Sequence, residues 1–201
     1  MLDRAAYQLF SPLMERMARV CVRHGIGADS LTLGGFGLGL AGAVAIALNA
    51  YLTGLLLICL SRLCDGVDGS VARLTQPTDR GAFLDTALDF LFYATVPLAF
   101  AWANPATNAL PAAVLLCALI GSSSSYLAYA ILATKRGLPS LSYPGNSFYF
   151  LGCLTETTET LGVFICMCLW PVLFPALAYT FAAATLLTSL TRLLWGWKTL
   201  S

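Results

Sequence analysis

Charged residues are scarce in this sequence, and histidine is almost absent. Only 10% of its 201 residues are charged, one is a histidine, and the formal net charge is +1. So small a charge leaves no electrostatic footprint for a nucleic-acid partner. By contrast, 58% of the residues are hydrophobic and the mean hydropathy is +0.78, far above the range of water-soluble domains. The composition predicts an all-α integral membrane protein, since helices satisfy their own backbone hydrogen bonds in lipid.

Six apolar stretches are long enough to cross a hydrocarbon core, which takes about 20 helical residues. They fall at residues 31–50, 51–72, 82–101, 111–133, 147–170 and 174–196. The segments between them are too short to form a second domain. Residues 31–201 are therefore predicted to form one domain of six transmembrane helices.

Residues 1–30 are predicted to form a separate amphipathic helix. Apolar residues such as Met14, Met17 and Cys21 recur at spacings of mostly three and four, with basic residues such as Arg16 between them. Charges scattered through the segment distinguish it from a signal peptide. The pattern favours a helix that lies in the membrane interface. The alternative is an exposed lead-in helix without lipid contact.

Basic residues mark one set of predicted helix ends. The turns near residues 49–54, 102–110 and 170–175 contain no charge, whereas the opposite ends carry most of the arginines and lysines. The positive-inside rule then places both termini, and the loops at 73–81 and 134–146, in the cytoplasm. The chain is therefore predicted to be a multi-pass protein of the inner (plasma) membrane.

Cysteines and glycines in the spans have structural interpretations. The sequence has seven cysteines, six of them inside predicted spans and Cys21 on the apolar side of the first helix. This placement favours small apolar fillers over disulfides or thiolate ligands. The glycine-rich stretch at 34–39 follows no strand, so Gly35 and Gly39 are predicted to permit close helix packing rather than to bind a dinucleotide.

Polar side chains gather at similar depth near the cytoplasmic ends of the predicted spans. They are Arg62, Asp65 and Asp68 in the second span, Asp85 and Asp89 in the third, Ser122 to Ser125 in the fourth, Glu156 and Glu159 in the fifth, and Arg192 in the sixth. Ionisable groups in a bilayer are costly unless they face a partner or a cavity. The layer predicts a polar cavity that opens to the cytoplasm. Pairing between helices is the alternative, but one arginine neutralises four aspartates poorly.

The aspartates are spaced to share helix faces. Asp65 and Asp68 are three residues apart, and Asp85 and Asp89 are four apart, so each pair lies on one face of its helix. Oxygen ligands of this kind suit Mg²⁺ or Mn²⁺ rather than zinc. Four carboxylates are enough for two divalent ions about 4 Å apart, an arrangement that clamps phosphoryl oxygens. Arg73 could hold a further phosphate oxygen.

The stretch from Asp65 to Asp89 resembles the signature of the CDP-alcohol phosphatidyltransferases, which are membrane enzymes of six spans. It reads Asp65, two residues, Asp68-Gly69, two residues, Ala72-Arg73, seven residues, Gly81, three residues, Asp85, three residues and Asp89. The likeness extends to the span count and the amphipathic N-terminus, and is greatest to small bacterial inner-membrane members. The gap before Gly81 is one residue shorter than usual, and Phe90 follows Asp89 where many members have Lys or Arg.

This resemblance implies a transfer of phosphatidyl from CDP-diacylglycerol to a small alcohol, with release of CMP, and it implies a homodimer. Asp65, Asp68, Asp85 and Asp89 would be metal ligands, with Asp89 also the general base. The implied contacts to the cytidine nucleotide come from Gly69, Ala72, Arg73 and Gly81.

The acceptor is open at this point. Its candidate pocket residues are Arg62, Lys135, Arg136, Glu156, Glu159 and Arg192. Basic residues would suit a phosphorylated polyol such as glycerol 3-phosphate, whereas the glutamates would favour an uncharged or cationic alcohol and repel a phosphate. Alternatively, Glu156 or Glu159 neutralises Arg62 or Arg192. Two other functions remain: a six-span cation transporter or channel, and a scaffold with degenerate catalysis.

Overall fold

A computed structural model describes residues 2–136 and 157–199, with side chains from Phe10 onward. Throughout these residues the regular structure is helical. The helices are α1 (Leu2–Arg23), α2 (Ala28–Ala47), α3 (Tyr51–Leu74), α4 (Asp79–Ala103), α5 (Pro105–Lys135), α6 (Thr157–Leu169) and α7 (Phe174–Thr199), with a 3₁₀ turn at Pro171–Leu173. The all-α prediction is thus confirmed for the described part of the chain.

Within the described residues, four helices are long and apolar enough to cross a membrane: α2, α4, α5, and α7 together with the 3₁₀ turn before it. The chain is therefore a multi-pass membrane protein. Helix α3 has the length of a span, but its apolar run includes Arg62, Asp65 and Asp68. Helix α6 is described over 13 residues, because much of the predicted fifth span lies outside the described residues. Six spans therefore stay a prediction.

The turn between α4 and α5 is much shorter than the predicted break at residues 102–110. Only Asn104 separates the two helices. Pro105 occupies the first turn of α5, where its missing N–H is not needed. The side-chain amide of Asn108 donates to the carbonyl of Phe100 at 2.9 Å, so a carbonyl at the end of α4 is satisfied by the next helix.

Glycines on α2 bring it into close contact with α3 and α4. A Cβ added at Gly35 would lie 2.9 Å from Cβ of Cys64 on α3. A Cβ at Gly39 would lie 2.6 Å from the ring of Phe92 on α4 and 2.9 Å from Oγ of Ser61. These approaches confirm the prediction that Gly35 and Gly39 serve close helix packing. They hold α3 and α4 on one side of α2.

An aromatic core closes the end of the bundle opposite the aspartates. The rings of Phe100 and Phe174 stack with centroids 4.6 Å apart, and Tyr51 stacks on Phe100 at 5.7 Å. Phe100 and Phe174 are fully buried, as are Phe92 and Phe164 nearer the middle of the bundle. These side chains join α3, α4, α6 and α7, and the motif aspartates lie toward the other end of the bundle.

Helix α1 rests on the aspartate-bearing part of α3. Its buried Ala18 belongs to a small apolar cluster with Val67 and Val71, and Met14 packs at its edge. A Cβ at Gly66 would lie 2.5 Å from Cε of Met14, so α1 touches α3 between Asp65 and Asp68. Other apolar side chains of α1 face outward: Phe10, Leu13 and Val20 are 48%, 50% and 52% exposed. The interfacial location of α1 stays a prediction.

We expect Gly39→Ala to destabilise the protein by about 1–3 kcal/mol, because the added methyl group meets the Phe92 ring and Ser61 in a closely packed interface. Thermal unfolding of the detergent-purified protein measures the change. The matched control is Gly37→Ala on the same helix, where a Cβ meets nothing within 4 Å. Equal stability of the two variants would contradict the packing described for α2.

Candidate active site

Three of the four predicted aspartates converge where the end of α3 meets the start of α4. One carboxylate oxygen from each of Asp65, Asp68 and Asp85 lies within 4.8 Å of the other two. Asp68 is buried, and Asp65 and Asp85 are half-buried. The hairpin of α3 and α4 therefore builds the oxygen-rich cluster that the spacing indicated.

The chemistry of this cluster fits a hard divalent cation. Oxygen ligands of Mg²⁺ lie at about 2.1 Å, so opposite ligands of one ion are about 4.2 Å apart. The spread of the three carboxylate oxygens, at most 4.8 Å, is close to that value. The cluster contains no thiolate or imidazole ligand, and the cysteines of the described chain are free. Oxygen-only ligands favour Mg²⁺ or Mn²⁺ over zinc.

Asp89 lies beside the cluster and is bound by Arg62. The guanidinium Nη1 of Arg62 is 2.5 Å from Oδ1 of Asp89 and 3.4 Å from Oδ1 of Asp65. The guanidinium carbon also lies 3.9 Å above the centre of the Phe92 ring. Arg62 is thus paired with motif aspartates, and its predicted role in an acceptor pocket stays a prediction.

Thr32 on α2 is a site residue that the sequence reasoning missed. Its hydroxyl is 2.6 Å from Oδ2 of Asp68, to which it can donate, and 3.0 Å from the carbonyl of Ala28. Thr32 is the fifth residue of α2, at a depth similar to that of Asp68 from the end of α3. Thr32 lies in the first predicted span, at the depth of the polar residues in the other five spans. Including the first span in that comparison would have found it.

A small cleft opens beside these side chains. Its lining residues are Thr32, Gly35, Phe36, Arg62, Asp65, Asp85, Leu88 and Asp89. Three helices, α2, α3 and α4, form the walls of this cleft, and the larger polar cavity stays a prediction. The side of the membrane to which it opens stays a prediction.

The four predicted nucleotide-binding residues lie at the same end of the hairpin. Arg73 is exposed on the last turn of α3, where its Nη2 donates to Oγ of Ser70 at 2.9 Å. Gly69 lies beneath it, since a Cβ there would be 3.4 Å from Nη1 of Arg73. Ala72 is half-buried on α3. Gly81 is in the first turn of α4 and donates its N–H to the capping hydroxyl of Thr78 at 3.0 Å.

The other acceptor-pocket candidates are dispersed. Arg192 on α7 is buried, and its Nη1 donates to the carbonyl of Ser122 at 2.7 Å and to Oγ of Ser125 at 3.2 Å. Lys135 and Arg136 are exposed at the end of α5. Glu159 is in the first turn of α6, and its buried Oε2 has no hydrogen-bond partner within the described chain. Glu156 lies outside the described residues.

The fold and the site define a class: a helical multi-pass membrane protein with a carboxylate cluster at one end of a helix hairpin. The chain belongs to the CDP-alcohol phosphatidyltransferase family, whose model matches residues 26–194. It is 46% identical over 200 residues to the inner membrane protein YnjF of Escherichia coli (strain K12), which covers 100% of this chain and 97% of YnjF. The resemblance drawn from the motif is confirmed.

Two further relatives are phosphatidylinositol phosphate synthases. The enzyme of Streptomyces avermitilis is 38% identical over 95 residues, which are 44% of this chain and 37% of that protein. The enzyme of Mycobacterium tuberculosis has been solved with CDP-DAG bound, and it matches this fold with a TM-score of 0.68 at 21% identity, over 92% of this chain and 94% of that one. A second structure of it, with manganese and citrate, gives a TM-score of 0.66 at 21% identity, over 92% and 88%.

We expect Thr32→Val to weaken Mn²⁺ binding by about 10–100-fold, because Asp68 loses the hydrogen bond that orients it. Titration of the purified protein with Mn²⁺, followed by the electron paramagnetic resonance signal of the free ion, measures the affinity. Thr32→Ser should restore most of it. Thr180→Val is the matched control, since Thr180 makes a similar hydroxyl bond to a carbonyl of its own helix but is exposed on α7. A Thr32→Val protein with wild-type affinity would contradict this role.

Proposed function

We propose that the protein transfers a phosphatidyl group from CDP-diacylglycerol to the hydroxyl of a small polar alcohol and releases CMP. Membership of the family supports the reaction type. The observation that carries the proposal is the convergence of Asp65, Asp68 and Asp85, with Asp89 beside them. All four aspartates and Arg73 are present, which argues against a scaffold with degenerate catalysis.

The metal would be held by the motif carboxylates. Asp65, Asp68 and Asp85 would hold one divalent ion, and Asp89 with Asp65 would hold a second. Bound there, Mg²⁺ or Mn²⁺ would offset the negative charge of the diphosphate and of the departing phosphate oxygen. The buried position of Asp68 strengthens this electrostatic effect, because water screens it less.

Asp89 is the proposed general base. Its carboxylate accepts the proton of the acceptor hydroxyl as that oxygen forms a bond to the phosphorus that carries diacylglycerol. The bond from this phosphorus to the bridging oxygen breaks, and the oxygen leaves as part of CMP. Arg73, exposed at the end of α3, would bind a phosphate oxygen of the nucleotide. Gly69, Ala72 and Gly81, at the same end of the hairpin, would contact the nucleotide as the family motif implies.

The acceptor is proposed to carry no phosphate group. Arg62 is paired with two aspartates, and Arg192 donates to a carbonyl and a hydroxyl of α5, so both arginines at site depth already have partners. The buried Oε2 of Glu159, and Glu156 near it in sequence, would repel a phosphate and accept hydrogen bonds from an alcohol or a cationic headgroup. Of the predicted basic pocket residues, Lys135 and Arg136 at the exposed end of α5 are those still available to bind a phosphorylated polyol.

The transporter hypothesis is less well supported. An ion path would need polar groups through the whole bundle. The described helices instead close their far end with the stacked rings of Tyr51, Phe100 and Phe174. The structure therefore favours a site that is reached from one end only.

The proposed setting is the inner membrane, with both termini and the carboxylate cluster on the cytoplasmic side. The inner-membrane relative and the distribution of basic residues support it. Helix α1 would lie in the interface, with its exposed Phe10, Leu13 and Val20 in the lipid and its arginines among the headgroups. A homodimer, which the family resemblance implies, is proposed as the assembled form.

We expect purified protein to release CMP from CDP-diacylglycerol in the presence of Mg²⁺ or Mn²⁺ and one alcohol from a panel of candidates. Asp85→Asn and Asp89→Asn should each lower kcat by about a hundredfold or more, because they remove a metal ligand or the base. Quantifying CMP and the lipid product measures the reaction. Asp79→Asn, at the exposed first residue of α4, is the matched control and should keep wild-type activity. Substantial activity in both site variants would contradict the assignment.

We expect Glu159→Gln to raise the KM for the acceptor by about tenfold, since an acceptor hydroxyl loses a charged hydrogen-bond partner, while the KM for CDP-diacylglycerol stays unchanged. Steady-state kinetics with each substrate varied in turn measures both constants. Glu15→Gln on exposed α1 is the control. An unchanged acceptor KM would indicate a structural role for Glu159.

A further inference from the structure

Arg62 is buried and already has binding partners in the absence of substrate. Its side chain is 8% exposed, and it bonds to Asp89 while lying 3.4 Å from Asp65. Its guanidinium carbon also lies 3.9 Å from the centre of the Phe92 ring, which is fully buried. An arginine stacked on a ring and paired with a carboxylate loses little further entropy on staying in place. Arg62 is therefore a fixed positive charge inside the site.

This charge occupies one side of the carboxylate cluster. Asp65 is shared, because it contributes an oxygen to the group of three carboxylates and lies within ion-pair distance of Arg62. Asp68 and Asp85 complete that group of three, and Thr32 bonds to Asp68. Among the described residues, Arg62 forms ion pairs with Asp89 and Asp65 but not with Asp68 or Asp85.

We propose that Arg62 is a built-in counter-ion that competes with a second divalent cation for Asp89 and Asp65. Without substrate, the site binds one divalent ion tightly at Asp65, Asp68 and Asp85. A second ion binds well only when the guanidinium leaves Asp89, for example when a diphosphate brings further negative charge. This inference rests on the proposed metal site and adds an order of binding to it.

The physical basis is repulsion between positive charges at short range. A divalent ion ligated by Asp89 would sit beside a guanidinium that is bonded to the same carboxylate, in a site with little water to screen them. The arginine in turn relieves the repulsion among four carboxylates before any metal binds. One side chain therefore stabilises the metal-free protein and weakens the second metal site.

The test is Mn²⁺ titration of the full-length purified protein without CDP-diacylglycerol, read from the paramagnetic resonance of free Mn²⁺. Wild-type protein should bind one ion tightly and a second about tenfold or more weakly, and Arg62→Met should bind the second about tenfold more tightly than wild type does. Arg62→Lys keeps the charge and should resemble wild type. Arg80→Met removes an exposed arginine from the same end of the molecule and should leave both affinities unchanged.

A second variant covers the case in which Arg62→Met does not fold. Phe92→Leu removes the ring beneath the guanidinium but keeps the positive charge of Arg62. This variant should bind the second Mn²⁺ ion about two- to fivefold more tightly than wild type does. An unaltered second affinity in the variants that fold, or two equal affinities in wild type, would overturn the proposal. If Asp85→Asn leaves all Mn²⁺ binding intact, the assignment of the metal site is wrong. That outcome differs from one in which Mn²⁺ binds at the site but Arg62 does not affect its affinity.

Discussion

Four carboxylates held close together inside a helical membrane protein form the constraint on which the rest of the structure depends. Like charges at this range repel one another, and the repulsion is strong where little water screens it. Arg62 neutralises one carboxylate and lies near a second, and Thr32 donates a hydrogen bond to a third. The negative charge that remains suits the cluster to a hard divalent cation. The site therefore carries more negative than positive charge.

The cluster forms only because three helices approach one another closely. Glycines on α2 leave room for α3 and for the Phe92 ring of α4, and that ring supports the guanidinium of Arg62. A chain of contacts therefore runs from Gly39 through Phe92 and Arg62 to Asp89. Packing in the apolar interior therefore affects where charges lie in the site, because a shift of the Phe92 ring would also shift the guanidinium of Arg62.

The molecule is also divided along its length. Stacked aromatic rings close one end, and carboxylates, arginines and hydroxyls occupy the other. Helix α1 adds an outward apolar surface beside the polar end, where Met14 touches α3 within the motif. The proposed substrate, with its apolar tails and charged nucleotide, would fit such a division, because its reacting phosphate would lie at the boundary between lipid and water.

The sequence by itself determined the class of protein and the chemistry of its site. Apolar runs and the three- and four-residue spacing of the aspartates are local properties, so the helices and the carboxylate-bearing faces could be predicted from them. Contacts between helices could not, because they depend on helix rotation and separation. Thr32 bonds to Asp68, 36 residues further along the chain, Arg62 pairs with Asp89, and Arg192 bonds to serines of α5. Only the tertiary structure decided these pairings, since packing of glycines against aromatic rings sets which charged and polar groups come within bonding distance.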